Sequence, residues 1–218
     1  MKRPLLQIAL DHTDLKAALE SAGKVAEEVD VIEAGTILCY AEGAKAVKQI
    51  HDAYPGHTIV ADLKAADAGE VVANLVFSRG ASWMTCICNA PLATMEAAKK
   101  VADTYSGEIQ VELYGAWSFD LAAKWLDIGI NQAIYHRGRD AAAAGQNWSD
   151  EDIQKIRHLG EMGFAVSVTG GLAPQDLSLF RGIPVKCFIA GRSLYEAKNP
   201  IAAARAFKQA IRDNWNQG

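Results

Sequence analysis

The sequence is short of the features that would mark a membrane, nucleic-acid-binding or metal-stapled protein. No apolar run in its 218 residues approaches the roughly 18 residues of a membrane span. The start, MKRPLLQIALDH, is basic, but its apolar stretch breaks at Asp11 and carries no small-residue cleavage site, so it reads as a first strand and not a signal peptide. The 22 Lys and Arg are scattered against 26 Asp and Glu, for a net charge of −4 and a pI near 5.7. Without a concentrated basic face, counterion release cannot drive non-specific nucleic-acid binding, and a small ligand is the expected partner. The four cysteines, Cys39, Cys86, Cys88 and Cys187, have no CxxC spacing and lie in or beside apolar segments, as reduced core cysteines of a cytoplasmic protein do. No long linker, low-complexity tail or composition shift divides the chain, so one domain over residues 1–218 is expected.

What is present is a repeat of short apolar runs and amphipathic stretches from end to end. Strands are expected at 5–11, 29–35, 58–64, 83–89, 109–115, 132–138, 165–171 and 186–192. Helices are expected at 14–27, 41–53, 69–79, 91–104, 118–127, 150–162, 174–180 and 200–214, several opened by a capping Ser, Thr or Asp or by an early Pro. In the first of these, apolar residues at 15, 18, 19, 22, 25 and 26 make a helical stripe. Eight strands each followed by a helix is the arithmetic of an α/β single-domain (β/α)8 TIM barrel. A doubly wound sheet is the alternative, but no GxGxxG follows any strand.

Barrel active sites lie at the C-terminal strand ends, and the expected strands end in Asp11, Glu33, Asp62 with Lys64, Asn89, Glu112, His136 with Arg139, Thr169 with Gly170 and Gly171, and Gly191 with Arg192. Taken alone, a strand-end Asp is often a cap, and a lone His is often only a satisfied polar residue. Together they are harder to dismiss, because buried carboxylates without partners cost several kcal/mol each and call for a cation or a substrate. In ADLKAADAG, Asp62 and Lys64 stand two apart and face the same way on a regular strand, while Asp67 falls at the turn into a helix. Glu33 and Asp62 end neighbouring strands and offer oxygen ligands suited to Mg²⁺; a metal-free Glu33–Lys64 salt bridge is the alternative. SVTGGL and FIAGRSL, ending strands 7 and 8, stand where such barrels usually bind phosphate, with glycines admitting the anion and Arg192 supplying a forked contact.

ADLKAADAG, Glu33 in VIEAGT, Glu112 in VELYG, IYHRGRDAAAAG at 134–145, VTGGL at 168–172 and FIAGRSL at 188–194 together resemble the 3-keto-L-gulonate 6-phosphate decarboxylase family, within the orotidine-5′-phosphate decarboxylase suprafamily, over essentially the whole chain. The resemblance implies decarboxylation of a β-keto acid sugar phosphate, in L-ascorbate or hexonate catabolism, through a 1,2-enediolate. It implies Mg²⁺ on Glu33 and Asp62, and Lys64 as the electrostatic partner of the enediolate, kept protonated by Asp62 and Asp67. His136 is then the general acid and Arg139 positions a water or the departing carboxylate. Asp11 and Glu112 are assigned to hydroxyl recognition, Gly171, Gly191 and Arg192 to phosphate, and Thr169 to the phosphate end. Asp67 is expected to serve the neighbouring active site of a homodimer.

Hexulose-6-phosphate synthase, an aldolase that leaves the same kind of enediolate, is the nearest alternative, and a catalytically silent sugar-phosphate-binding barrel is another. HRGRD favours the decarboxylase, and the silent barrel would typically have lost Lys64 or a metal carboxylate. An acidic residue at Glu33 speaks against the metal-free orotidine-type enzymes, which resemble this sequence in DxKxxD but carry a lysine near that place. The segment 138–148 reads as a loop after strand 6 that could serve as a lid.

Overall fold

In LLQIAL the side chains of Leu6, Ile8 and Leu10 are fully buried in the main hydrophobic layer, while Gln7 and Ala9 between them face the other way. This alternation repeats around the chain and sorts each strand into a helix-facing side and a barrel-facing side. The computed structural model describes residues 2–138, 144–145 and 147–215. In it β1 (Leu5–Leu10), β2 (Val31–Ala34), β3 (Thr58–Ala65), β4 (Trp83–Ile87), β5 (Glu108–Leu113), β6 (Gln132–His136), β7 (Ala165–Thr169) and β8 (Val185–Ala190) pair in parallel and in chain order, and β8 returns to β1. The expected (β/α)8 barrel is what forms.

The outer layer comprises α1 (Leu15–Val25), α2 (Thr36–Glu42), α3 (Lys45–Ala53), α4 (Gly69–Phe77), α5 (Leu92–Thr104), α6 (Phe119–Asp127), α7 (Asp150–Met162), α8 (Arg192–Tyr195) and α9 (Pro200–Trp215). Asp14 caps α1 by accepting from the Ala17 N–H at 2.9 Å, and Ser149 with Asp152 closes a capping box on α7. Two expected helices differ. The helix placed at 41–53 starts at Lys45 as α3, and a separate α2 runs before it from Thr36 and stops where Gly43 takes φ +64. The segment Pro174–Phe180 winds as a 3₁₀ turn rather than an α-helix. No helix among the described residues is long and apolar enough to cross a membrane.

One irregularity positions the site. On β3, Ala61 pairs with Met84 of β4 but Ala65 pairs with Cys86, so an advance of four residues on one strand matches two on the other. Lys64 sits in this bulge with φ +47, a left-handed conformation that a non-glycine residue holds only where its surroundings enforce it. Asp62 and Lys64 therefore meet through a bulge, and not through the plain alternation their spacing suggests.

Candidate active site

The bulge is held by Thr85, whose hydroxyl oxygen accepts from the Lys64 backbone N–H at 2.8 Å and donates to Asp62 Oδ1 at 2.7 Å. Asp62 Oδ2 accepts from Thr36 Oγ1 at 2.5 Å and from Lys64 Nζ at 2.6 Å, and Lys64 Nζ also donates to Thr36 Oγ1 at 2.7 Å. Glu112 on β5 adds an ion pair to Lys64 at 3.1 Å through Oε2, and through Oε1 accepts from Nδ1 of His136 on β6. A continuous chain of contacts thus runs from Asp62 through Lys64 and Glu112 to His136. With Nδ1 donating to Glu112, Nε2 is the ring nitrogen left for other work, and the Tyr114 ring lies against the imidazole at 5.4 Å between centroids.

Glu33 is 6% exposed, Asp62 6% and Glu112 2%. Burial and the neighbouring Asp62 and Asp11 push the Glu33 carboxyl well above its ordinary value, against the pull of Lys64. Burial alone would lower the Lys64 ammonium, but Asp62 and Glu112 outweigh it and raise it. Burial likewise opposes ionisation of Asp62, and Lys64, Thr36 and Thr85 reverse the sign and hold it low. Glu112 is raised by burial and by Asp62, with His136 and Lys64 opposing.

Across the mouth, Thr169 at the end of β7, Gly170 and Gly171 after it, and Gly191 with Arg192 after β8 border the same cavity of about 560 Å³ as Asp11, Glu33, Asp62, Lys64, Glu112 and His136. One half is acidic around a lysine, and the other offers main chain and arginine. Nearly all the strand-end residues expected from sequence thus line one cavity at the C-terminal ends of the strands.

Two expected residues, Asn89 and Asp67, stand outside this cavity, and one that borders it, Thr169, is also tied into the barrel wall. Asn89 is exposed and outside the cavity, because β4 ends at Ile87 and a turn follows. Asp67 is also exposed and does not border its own chain's cavity, and it is Glu112 that joins Asp62 on Lys64. The Thr169 hydroxyl donates to the Ile189 carbonyl at 3.2 Å, so its hydrogen ties β7 to β8. Arg139 lies outside the described residues, as does most of the expected lid. The sequence reading passed over Thr36, Thr85, Gln7 and Arg137. Gln7 and Thr85 were detectable as polar residues inside otherwise apolar strands, LLQIAL and WMTCI, which a closed barrel must turn inward.

Two carboxylates suit Mg²⁺, which keeps several waters and takes only one or two protein oxygens, although no group of three His, Cys, Asp or Glu side chains among the described residues is arranged as a metal cage. The charge balance fits such an ion: the acidic half of the mouth sets Asp11, Glu33, Asp62 and Glu112 around one lysine, and burial with the neighbouring Asp62 and Asp11 raises the Glu33 carboxyl. A metal-free Glu33–Lys64 salt bridge is not the arrangement found. Lys64 pairs with Asp62 and Glu112, and Glu33 accepts from Nε2 of the buried Gln7.

Fold and site together define a (β/α)8-barrel enzyme whose mouth sets a protonated lysine among several carboxylates. The chain belongs to the Orotidine 5'-phosphate decarboxylase / HUMPS family, whose sequence model matches residues 4–207. It is 48% identical over 215 residues to 3-keto-L-gulonate-6-phosphate decarboxylase UlaD of Escherichia coli, covering 99% of this chain and 100% of that protein. Among solved structures it is similar to KGPDC from Streptococcus mutans in complex with ribose-5-phosphate, at 53% identity and a TM-score of 0.97 over 98% of this chain and 100% of that one. It is also similar to 3-hexulose-6-phosphate synthase from Salmonella typhimurium, at 26% identity and a TM-score of 0.88 over 96% of this chain and 99% of that one.

Proposed function

We propose that this enzyme decarboxylates 3-keto-L-gulonate 6-phosphate to L-xylulose 5-phosphate and CO₂ through a 1,2-enediolate. The observation that carries the mechanism is the Lys64 ammonium, fixed by Asp62, Thr36 and Glu112 and linked through Glu112 to His136. The phosphate rests on the Gly171, Gly191 and Arg192 side, which leaves the β-keto acid end over the lysine. When the bond to the carboxylate breaks, its electron pair moves into the adjacent ketone and CO₂ leaves. Lys64, already protonated and held in place, faces the negative charge that develops on the oxygens, and such pre-set charges contribute several kcal/mol in a water-poor site. His136 then delivers a proton from Nε2 to the carbon that lost CO₂, while Glu112 keeps the ring in the orientation this requires. Asp11 and Glu112 recognise substrate hydroxyls, and Arg139 assists at the departing carboxylate.

Glu33 and Asp62 would hold Mg²⁺, with Gln7 orienting the Glu33 carboxylate from below. When bound, the ion supplies a second positive charge for the enediolate oxygens. A second copy of the chain covers α2 and α4, a reading supported by the exposure of Tyr40, Val71 and Leu75 at 83%, 70% and 44%, and Asp67, just before α4, then serves the neighbour's site. Four free, buried cysteines suit a cytoplasmic setting.

The test is CO₂ release from 3-keto-L-gulonate 6-phosphate by purified protein, with EDTA and after Mg²⁺ is restored, with the mass measured by light scattering alongside. Release above roughly 1 s⁻¹ that EDTA abolishes and Mg²⁺ recovers, from a species of two-chain mass, is expected. Absence of release under every metal condition would overturn the decarboxylase and point to condensation of formaldehyde with ribulose 5-phosphate. Release that EDTA does not touch would remove the metal, and a single-chain mass would remove the shared site.

A further inference from the structure

Arg137 borders the cavity, yet the reaction above gives it no task. Its Nε and Nη2 both donate to the Gly170 carbonyl, at 3.1 and 2.7 Å, and its backbone N–H donates to the Thr169 carbonyl at 3.1 Å. The guanidinium lies 5.2 Å from the centroid of the Trp148 ring, which is itself packed edge-on against Phe180 at 5.2 Å. Gly170 takes φ +120, and a Cβ there would stand 2.3 Å from the Arg137 carbonyl oxygen and 2.6 Å from its Cβ. Glycine is therefore the residue that lets β6 and the turn after β7 approach this closely. A forked donor, an aromatic platform and a glycine built around them all serve to fix one peptide group.

That peptide is Gly170–Gly171. A trans peptide is planar, with its C=O and N–H pointing in opposite directions. Holding the Gly170 carbonyl against Arg137 therefore turns the Gly171 N–H away from the guanidinium. We infer that Arg137 is a positioning residue for phosphate recognition: by gripping the Gly170 carbonyl it presents the Gly171 N–H to the substrate phosphate. The inference rests on the proposed reading of the β7–β8 side as the phosphate end. It also explains why two glycines follow Thr169, since the first admits Arg137 and the second, at φ +62, brings main chain to the anion. Because Arg137 follows His136 directly, one strand end carries both the proton donor and the brace of the phosphate loop.

The experiment is calorimetric titration of D-ribose 5-phosphate and of inorganic phosphate into the native protein, Arg137→Lys and Arg137→Met, with steady-state kinetics on the same samples. Lysine keeps the charge but has neither the rigid fork nor the flat face, so it separates peptide orientation from charge. Both variants should bind ribose 5-phosphate at least about tenfold more weakly and raise KM by a similar factor, with kcat within about threefold. Native-like affinity in Arg137→Lys would show that charge suffices and overturn the inference. So would a lowered melting temperature with unchanged affinity in either variant, which marks a brace of the fold alone. Should Arg137→Met fail to fold, the lysine variant decides. A native protein that binds neither probe would sink the phosphate-end reading, whereas a native protein that binds both, matched by its variants, would sink only the role of Arg137.

Discussion

At the floor of the barrel, Gln110 donates to Gln132 at 2.9 Å, Gln132 donates to Glu108, and Lys186 pairs with Glu108 at 3.5 Å while lying 4.2 Å from the centroid of the Trp83 ring. At the mouth, five carboxylates, Asp11, Glu33, Asp62, Glu112 and Glu196, border one cavity against Lys64, Arg137 and Arg192. Both ends bury polar groups inside the same eight strands, and both contain a lysine. The floor is a short chain of two neutral amides, Gln110 and Gln132, that ends on one balanced ion pair. The mouth carries more negative charge than its own residues offset, and burial together with the neighbouring Asp62 raises the Glu33 and Glu112 carboxyls. Burial acts on both lysines alike, lowering the ammonium. At Lys186 it prevails over Glu108, whereas at Lys64 the carboxylates prevail. A polar interior is thus compatible with stability alone, and it is the unbalanced end that calls for a ligand.

The comparison breaks most directly by exchanging its two lysines. Lys64→Ala should lower kcat/KM by about 10³-fold or more, a change of about 4 kcal/mol, with the far-UV circular dichroism of the native fold retained. Lys186→Met, which keeps the contact with Trp83, should leave turnover within about threefold. Retained turnover in Lys64→Ala would remove the lysine from the mechanism and erase the distinction between the two ends.

Glu33→Gln sharpens the contrast, because it should gain stability while losing activity. Burial and Asp62 raise the Glu33 carboxyl, so the native state keeps a proton there that the unfolded chain has already released. Stability contributed by this group is therefore complete below about pH 4.5 and falls as pH rises toward the raised native value. In EDTA at pH 7, Glu33→Gln should melt above the native protein, and the difference should close as the pH approaches 4.5. A variant that melts lower at pH 7 would mean that the ionised carboxylate is already well compensated by the protein, which the charge balance denies.

The smallest effect on activity belongs to the floor. Gln132→Ala leaves Gln110 Nε2 without its acceptor and Glu108 with Lys186 alone, and should cost about 1–3 kcal/mol in a denaturant titration, with kcat/KM within about threefold. A large loss of activity would show that floor and mouth act as one network and not as two.

Much of this architecture is legible in local sequence, because strand alternation and helical stripes are short-range patterns that each segment carries by itself. The eight runs, their order, and the polar residues at their ends follow from that periodicity, and DxKxxD with TGGL and AGRS marks the two halves of the mouth. Asn89 shows the limit: it looks like the other strand-end residues, and only the early end of β4 takes it out of the site. Thr36, Thr85 and Gln7 were missed because their value lies in partners 26, 23 and 26 residues away. Arg137 was passed over for its neighbour Arg139, since nothing in HRGRD says which arginine reaches across to the turn after β7.

By itself, then, the sequence determined the fold class, the strand-end positions and the kinds of side chain gathered there, all of which depend on interactions within a few residues or on simple in-out alternation. Only the tertiary structure decided the β3 bulge that aims Lys64 at Asp62, the handing of Glu33 to Gln7, and the grip of Arg137 on Gly170. Those depend on register between strands and on contacts across the closed barrel, where a shift of one residue turns a side chain from one face to the other.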